Sequence, residues 1–148
     1  MTHSPLALRV EADRTVFLEG AREVFSLPVT PRALADRHWP HGLPGPLQLE
    51  RAIDDVEAVI EQARLSHADR GVLLMTDSLK RQLPDLWRHG THFSRDDVEH
   101  MFTLLVSVSS TGGRGDVGLE SRGESAATLL LLREVMHHLG FAALTTQG

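Results

Sequence analysis

Apolar and polar residues alternate along the first thirty positions of the chain, a period of two that is typical of strands with one buried face. Three segments show the pattern: LALRV at Leu6–Val10, TVFLE at Thr15–Glu19 and EVFSLPV at residues 23–29. The short segments EADR and GAR separate them, which suits tight connections between antiparallel neighbours. We therefore predict an antiparallel β-meander over residues 1–30.

The pattern changes to a helical period after a proline-rich stretch. Residues 31–45 contain prolines at both ends and predict a connector with one helical turn near residues 32–38. From residue 46, apolar residues recur at spacings of three and four, which predicts a helix to about residue 66. Its apolar stripe consists of Leu49, Ile53, Val56, Ile60 and Ala63.

Further helices and one strand are predicted in the second half of the chain. GVLLMTD, residues 71–77, has the apolar run of a buried strand. Ser94 stands before two acids, which is typical of a capped helix start. For FTLLVSVSS, residues 102–110, we favour a continuation of that helix over the competing interpretation as a strand. A glycine-rich loop follows, and a last helix opens at Glu124 or Ser125 and stops at Gly140.

Together these elements predict a single α+β domain over residues 1–148. An N-terminal antiparallel β-meander packs on three or four α-helices, residues 46–140 are mainly helical, and residues 141–148 are a tail. A chain of 148 residues has the length of one ordinary domain.

Composition excludes several classes of function. The chain is 41% hydrophobic and 24% charged with a net charge of -5, the balance of a soluble globular protein. The absence of cysteine excludes disulfides and thiolate chemistry. Acidity argues against non-specific nucleic-acid binding, and the longest apolar run, LLLL, is too short for a membrane span. With no secretory signal in MTHSPLALRVEADR, we expect a cytoplasmic location.

Histidines and acids at helical spacing raise the alternative of a metal site. HGTH supplies two imidazoles, and DDVEH and EVMH each place an acid and a histidine three residues apart. The candidate ligands are His89, His92, Asp97, His100, Glu134 and His137. On a helical wheel, His100 and the Glu134/His137 pair lie opposite the apolar faces of their helices. We therefore interpret these residues as solvated polar faces, and we expect no metal and no other cofactor.

The segment GRGDVG matches the glycine spacing of a dinucleotide-binding loop at Gly113, Gly115 and Gly118. In that fingerprint the third glycine already lies in the helix whose N-terminus receives the pyrophosphate, within a strand-helix-strand unit. Here LESRGE follows, with a further glycine, and no strand is predicted after the last helix. Nucleotide binding is therefore the least favoured hypothesis.

Two surfaces suggest protein partners. Four carboxylates form one line on the helix that starts at residue 46, and they could dock a basic partner: Glu50, Asp54, Glu57 and Glu61. In the last helix, Leu130 and Leu131 point away from the main apolar stripe, so the helix is apolar nearly all round. Such a helix is either central to the fold or shared with another chain, and we predict a homodimer contact.

The resulting hypothesis is a non-catalytic cytosolic accessory protein, such as an adaptor, chaperone or regulatory subunit, that acts through protein contacts. The alternative is a small metal-dependent enzyme with a site of histidine, aspartate and glutamate residues.

Overall fold

The computed structural model describes residues 5–83, 90–110 and 123–146, with the side chains of residues 108–110 left aside. The strands are β1 (Leu6–Val10), β2 (Thr15–Glu19), β3 (Arg22–Leu27), β4 (Gly71–Met75), β5 (His92–Ser94) and β6 (Phe141–Thr146). The helices in these ranges are α1 (Pro31–His38), α2 (Pro46–Gln62), α3 (Asp77–Lys80), α4 (Arg95–Ser110) and α5 (Gly123–Leu139). The predicted α+β class is confirmed.

All six strands belong to one mixed sheet with the order β3-β2-β1-β4-β6-β5. The predicted meander forms one side of this sheet, where β1 pairs antiparallel with β2 and β2 pairs antiparallel with β3. The sheet then continues beyond the meander. Strand β4 runs parallel to both β1 and β6, and β5 closes the other edge antiparallel to β6. The carboxyl ends of β1, β4 and β6 therefore lie at the same edge of the sheet.

The predicted tail over residues 141–148 was wrong, because residues 141–146 form an inner strand of the sheet. Phe141 and Leu144 of β6 are fully buried. Gly140 separates this strand from α5 with a φ of 88°, a left-handed conformation that glycine adopts without strain. The segment FAALTT shows no strict alternation because a strand between two neighbours, with helices beside it, is covered on more than one side.

Local sequence signals account for the helix boundaries. The amide of Asp97 donates to the Ser94 hydroxyl at 3.1 Å, and the amide of Ser94 donates to the Asp97 carboxylate at 2.8 Å. This reciprocal cap starts α4 where it was predicted. The helix runs through residue 110, so the helical interpretation of residues 102–110 is confirmed. In α2, Leu49, Val56 and Ile60 of the predicted stripe are buried.

Helix α5 is the centre of the helical layer, since α1, α2 and α4 all contact it. Leu130 and Leu131 are exposed by only 0% and 1% in the isolated chain. They are covered by elements of the same chain, so neither side chain is on the surface to make the predicted homodimer contact. Of the two explanations for a helix that is apolar all round, the structure shows the central helix.

Some predictions fall outside the described residues, namely those on His89 and on the loop with Gly113, Gly115 and Gly118. Within the described ranges, none of the helices has both the length and the apolar character that crossing a membrane requires.

Candidate functional site

A groove of about 290 Å³ opens at the carboxyl ends of β1 and β4. In sheets with parallel strands, ligands bind at this edge, in the crevice beyond the strand ends. Six polar residues line the groove: Arg9, Thr76, Ser78, Gln82, Glu124 and Thr128. They come from β1, from the turn after β4 and from the first turns of α5, so distant parts of the chain meet here.

Hydrogen bonds to the backbone hold two polar residues of the groove, Thr76 and Thr128, in place. Thr76 follows β4, and its hydroxyl accepts a hydrogen bond from the amide of Leu79 at 3.2 Å, which caps the single turn α3. In α5, the hydroxyl of Thr128 donates to the carbonyl of Glu124 at 2.9 Å. The side chains of Ser78 and Gln82 form none of the hydrogen bonds found within the described residues, so their polar groups can bind a ligand.

Among the described residues that line the groove, the charged ones are Arg9 and Glu124. Arg9 contacts the carboxylate of Glu11 at 2.7 Å, and both side chains reach solvent. Glu11 also contacts Arg14 at 3.1 Å. The hydrogen bond from Arg9 holds the pKa of Glu11 below its usual value, with a further contribution from Arg14. Glu124, in the first turn of α5, is the carboxylate of the groove.

The start of α5 is fixed against α1 by close packing. The indole N–H of Trp39, at the end of α1, donates to the carbonyl of Gly123 at 2.8 Å. A Cβ atom on Gly123 would lie 2.8 Å from both the Trp39 ring and the carbonyl oxygen of Gly42. Glycine is therefore needed at this position, and the wall of the groove that follows it is rigidly placed.

A second polar cluster lies between α2 and α5, away from the groove. The Nε2 atom of His138 is 3.0 Å from a carboxylate oxygen of Glu57 and 3.3 Å from Oε1 of Glu134. The Glu134 side chain is completely buried. Its Oε2 atom binds the guanidinium of Arg133, while no hydrogen bond reaches Oε1 within the described part of the chain.

Burial is the main cause of the raised pKa of Glu134. The guanidinium of Arg133 opposes that shift, and the nearby carboxyl of Glu57 adds to it. Arg133 in turn binds Glu99 at 3.0 Å and lies over the ring of Phe102, 4.8 Å from its centre. A buried carboxylate with one oxygen fixed and the other without a hydrogen bond is unusual, because buried polar atoms are normally hydrogen-bonded.

The structure separates most of the candidate metal ligands named from the sequence. His92 on β5, Asp97 and His100 on α4, and His137 on α5 are exposed. Within the described residues, Glu57, Glu134 and His138 are the grouping whose ligand atoms lie within 4.8 Å of one another. Among the predicted ligands that the structure describes, Glu134 is therefore the one that belongs to a cluster.

The helical wheel predicted a solvated face for Glu134, and this prediction was wrong because the side chain is buried. Helix α5 has no fully solvated face here, because other helices cover it on several sides. The sequence did contain a usable signal, since Glu134 and His138 are four residues apart and share a helix face. Glu57 was assigned to the acidic line of α2. Glu50, Asp54 and Glu61 of that line are exposed, whereas Glu57 contacts α5.

Comparisons with known proteins place the fold. No protein-family model and no curated protein matches the chain. Among solved structures, the Ppx/GppA phosphatase of Aquifex aeolicus, type II variant, superposes with a TM-score of 0.70 at 12% identity, over 99% of this chain and 54% of that one. An exopolyphosphatase from Cytophaga hutchinsonii gives 0.61 at 15% identity, over 98% and 53%. The chain thus spans about half the length of these structures, and the likeness is one of fold.

This likeness contradicts the hypothesis of a non-catalytic accessory protein. Among the solved structures that share the fold, one is named a Ppx/GppA phosphatase and another an exopolyphosphatase. Because those neighbours carry enzyme names, the likeness agrees better with the alternative left open by the sequence, a small metal-dependent enzyme, than with an accessory protein. The hydrophobic pattern of the sequence could not reveal the groove, because the groove is lined by residues that are up to more than a hundred positions apart.

Proposed function

We propose that this chain carries a phosphatase-type active site, which cleaves a phosphoester or phosphoanhydride bond in the groove at the carboxyl ends of β1 and β4. The observation that supports it is the position of the groove. It occupies the ligand-binding edge of a fold that named phosphatases share. This chain spans about half the length of that phosphatase structure. The class of substrate is therefore proposed here along with the activity.

Arg9 and the neighbouring hydrogen-bond donors of the groove bind the phosphate group. A guanidinium presents paired N–H groups that match two oxygens of a phosphate. Ser78 can donate its hydroxyl and Gln82 its amide from the facing wall. The first turn of α5 borders the same groove, and amides at the start of a helix favour an anion. Glu11 holds the Arg9 guanidinium in the free protein, so phosphate has to compete with this carboxylate.

Glu124 is the candidate general base. A water molecule in the groove attacks phosphorus, its oxygen forms the new P–O bond, and the bridging P–O bond breaks to release the leaving oxygen. The carboxylate of Glu124 takes the proton that the water loses. Trp39 positions this residue indirectly, because its indole holds the carbonyl of Gly123 next to it.

Phosphate binding and hydrolysis are measured separately to test the proposal. The purified chain is titrated calorimetrically with inorganic phosphate, and phosphate release is followed from tripolyphosphate and p-nitrophenyl phosphate. Arg9→Gln should weaken phosphate binding by about tenfold or more. Glu124→Gln should retain binding and lose hydrolysis.

The matched control is Arg22→Gln. Arg22 is also an exposed arginine of the meander that is paired with a glutamate, Glu19, at 2.9 Å, but it is not among the residues that line the groove. It should leave both measurements unchanged. Equal loss in the Arg9 and Arg22 variants would show that phosphate binds the general surface charge, and the groove would be rejected as the site.

A further inference from the structure

The three side chains between α2 and α5 have the chemistry of a metal site. Glu57 and Glu134 offer carboxylate oxygens, and His138 offers its Nε2 atom. The two measured separations from Nε2 are 3.0 and 3.3 Å. Ligands at bond lengths of about 2.0 to 2.2 Å around a tetrahedral zinc ion lie roughly 3.3 to 3.6 Å apart. A small inward or outward adjustment of side chains therefore suffices to admit an ion.

The buried carboxylate points to a missing ligand. Glu134 is wholly buried, and its Oε1 atom faces His138 without receiving a hydrogen bond from any described group. Leaving such an oxygen unpaired in the interior is costly. Arg133 holds the other oxygen, Oε2, so Oε1 is oriented as a single donor atom. Metal-bound carboxylates are commonly held by a second hydrogen bond of this kind.

An ion can reach this position from solvent. The side chains of Glu57 and His138 are 44% and 34% exposed, so the outer side of the cluster is open. Water can occupy the coordination positions that the protein does not fill. One imidazole with two carboxylates suits a first-row transition metal or zinc, whereas Ca²⁺ and Mg²⁺ prefer ligand sets made of oxygen alone.

From these contacts we propose that Glu57, Glu134 and His138 bind a divalent ion of the zinc class and thereby join α2 to α5. The site is distinct from the groove. Glu124 and Glu134 are ten residues apart on α5, which corresponds to about 15 Å along the helix axis. The ion holds the helical layer together at the end of α5 that is remote from the phosphate-binding end.

Chelator-treated protein is titrated with Zn²⁺ by calorimetry, and Co²⁺ is added separately to record its visible absorption. The wild-type chain should bind a single Zn²⁺ ion saturably. With Co²⁺ it should show the visible absorption bands of a four- or five-coordinate ion. Glu57→Gln and His138→Gln should each weaken binding by about tenfold or more and remove the Co²⁺ bands. Both positions are partly exposed, so these variants should fold, which circular dichroism verifies.

His137→Gln is the matched control, since His137 is the neighbouring residue in the same turn but is exposed and outside the cluster. It should leave Zn²⁺ affinity unchanged. Two outcomes would overturn the proposal: no saturable binding by the wild-type chain, or equal losses in the His137 and His138 variants, which would indicate adventitious binding to surface histidines. Phosphate binding in the groove should be the same in all these variants, so a failed metal site and a failed groove give different results.

Discussion

The indole nitrogen of Trp39 lies 2.8 Å from the carbonyl oxygen of Gly123 and donates a hydrogen bond to it. The contact joins the end of α1 to the start of α5 across 84 positions of sequence. Trp39 is only 3% exposed, and Glu124 of the groove follows Gly123 directly. One partly buried hydrogen bond therefore couples the packing of the helices to the geometry of the groove.

Trp39→Phe should reduce both stability and hydrolysis. Phenylalanine keeps most of the apolar contact but removes the N–H donor, and we expect a loss of about 1 to 2 kcal/mol in the free energy of unfolding. Because Glu124 is then less firmly placed, phosphate release should fall more than phosphate binding. Urea unfolding and the two phosphate assays measure these effects. Full activity in a destabilised variant would separate Trp39 from the groove.

Gly140→Ala should be strongly destabilising. An added Cβ would lie 1.7 Å from the carbonyl oxygen of Ala68, and the φ of 88° is unfavourable for alanine. We expect a cost of at least about 2 kcal/mol in urea unfolding. Gly20→Ala is the control, because Gly20 also has a positive φ but no atom within 4 Å of the added Cβ. It should cost about 1 kcal/mol. Equal costs would mean that backbone conformation alone matters at Gly140.

Leu130→Ala should destabilise the chain as a core substitution does. Leu130 is fully buried in α5, and truncation of such a leucine costs about 2 to 5 kcal/mol. Leu47→Ala on α2 is the control, since Leu47 is 56% exposed and should cost little. Chemical unfolding measures both. A stable Leu130 variant whose oligomeric state changes in light scattering would instead indicate that this leucine lies in an interface between chains.

Glu11→Gln should strengthen phosphate binding, the opposite of Arg9→Gln. The Glu11 carboxylate holds the Arg9 guanidinium in the free protein. Its removal frees that cation and takes a negative charge away from the groove. We expect a gain of about two- to fivefold in phosphate affinity at low salt, which decreases as salt is added. An unchanged affinity would argue that phosphate does not use Arg9.

The same variant should alter the pH dependence of stability. The pKa of Glu11 is lowered in the folded chain by Arg9, so the folded state binds fewer protons at this site than the unfolded state. The stabilisation is therefore present above the unfolded value of 4.5 and is lost as pH falls through the lower folded pKa. The Glu11→Gln variant has no carboxylate to titrate at this position. The free energies of unfolding of the wild type and the variant should therefore converge as pH falls. A constant gap across that range would contradict the assignment.

Several elements follow from neighbouring residues alone. The alternation in Leu6–Val10 and Thr15–Glu19 predicted two strands of the meander, and Ser94 with Asp97 predicted the start of α4. Gly140 marked the end of α5. These signals are local because strand period, caps and glycine stops depend on backbone groups only a few positions away.

The predictions that were wrong concern long-range packing. FAALTT became the inner strand β6 because β4 and β5 lie on either side of it. Glu134 became buried, and the leucines beside it became internal, because α1, α2 and α4 surround α5. A helical wheel shows which side chains share a face, but it carries no information about how many neighbours cover the helix.

The sequence by itself determined the α+β class, most helix and strand positions and the absence of thiol chemistry, since each depends on composition or on a local period. Tertiary structure alone decided the groove, which Arg9 and Glu124 both line, and the cluster, where Glu57 meets His138 across 81 positions. Polar residues scattered along a chain become a site only when a sheet edge or a pair of helices brings them together. That placement is a property of the packed elements, which is why both sites became visible only in three dimensions.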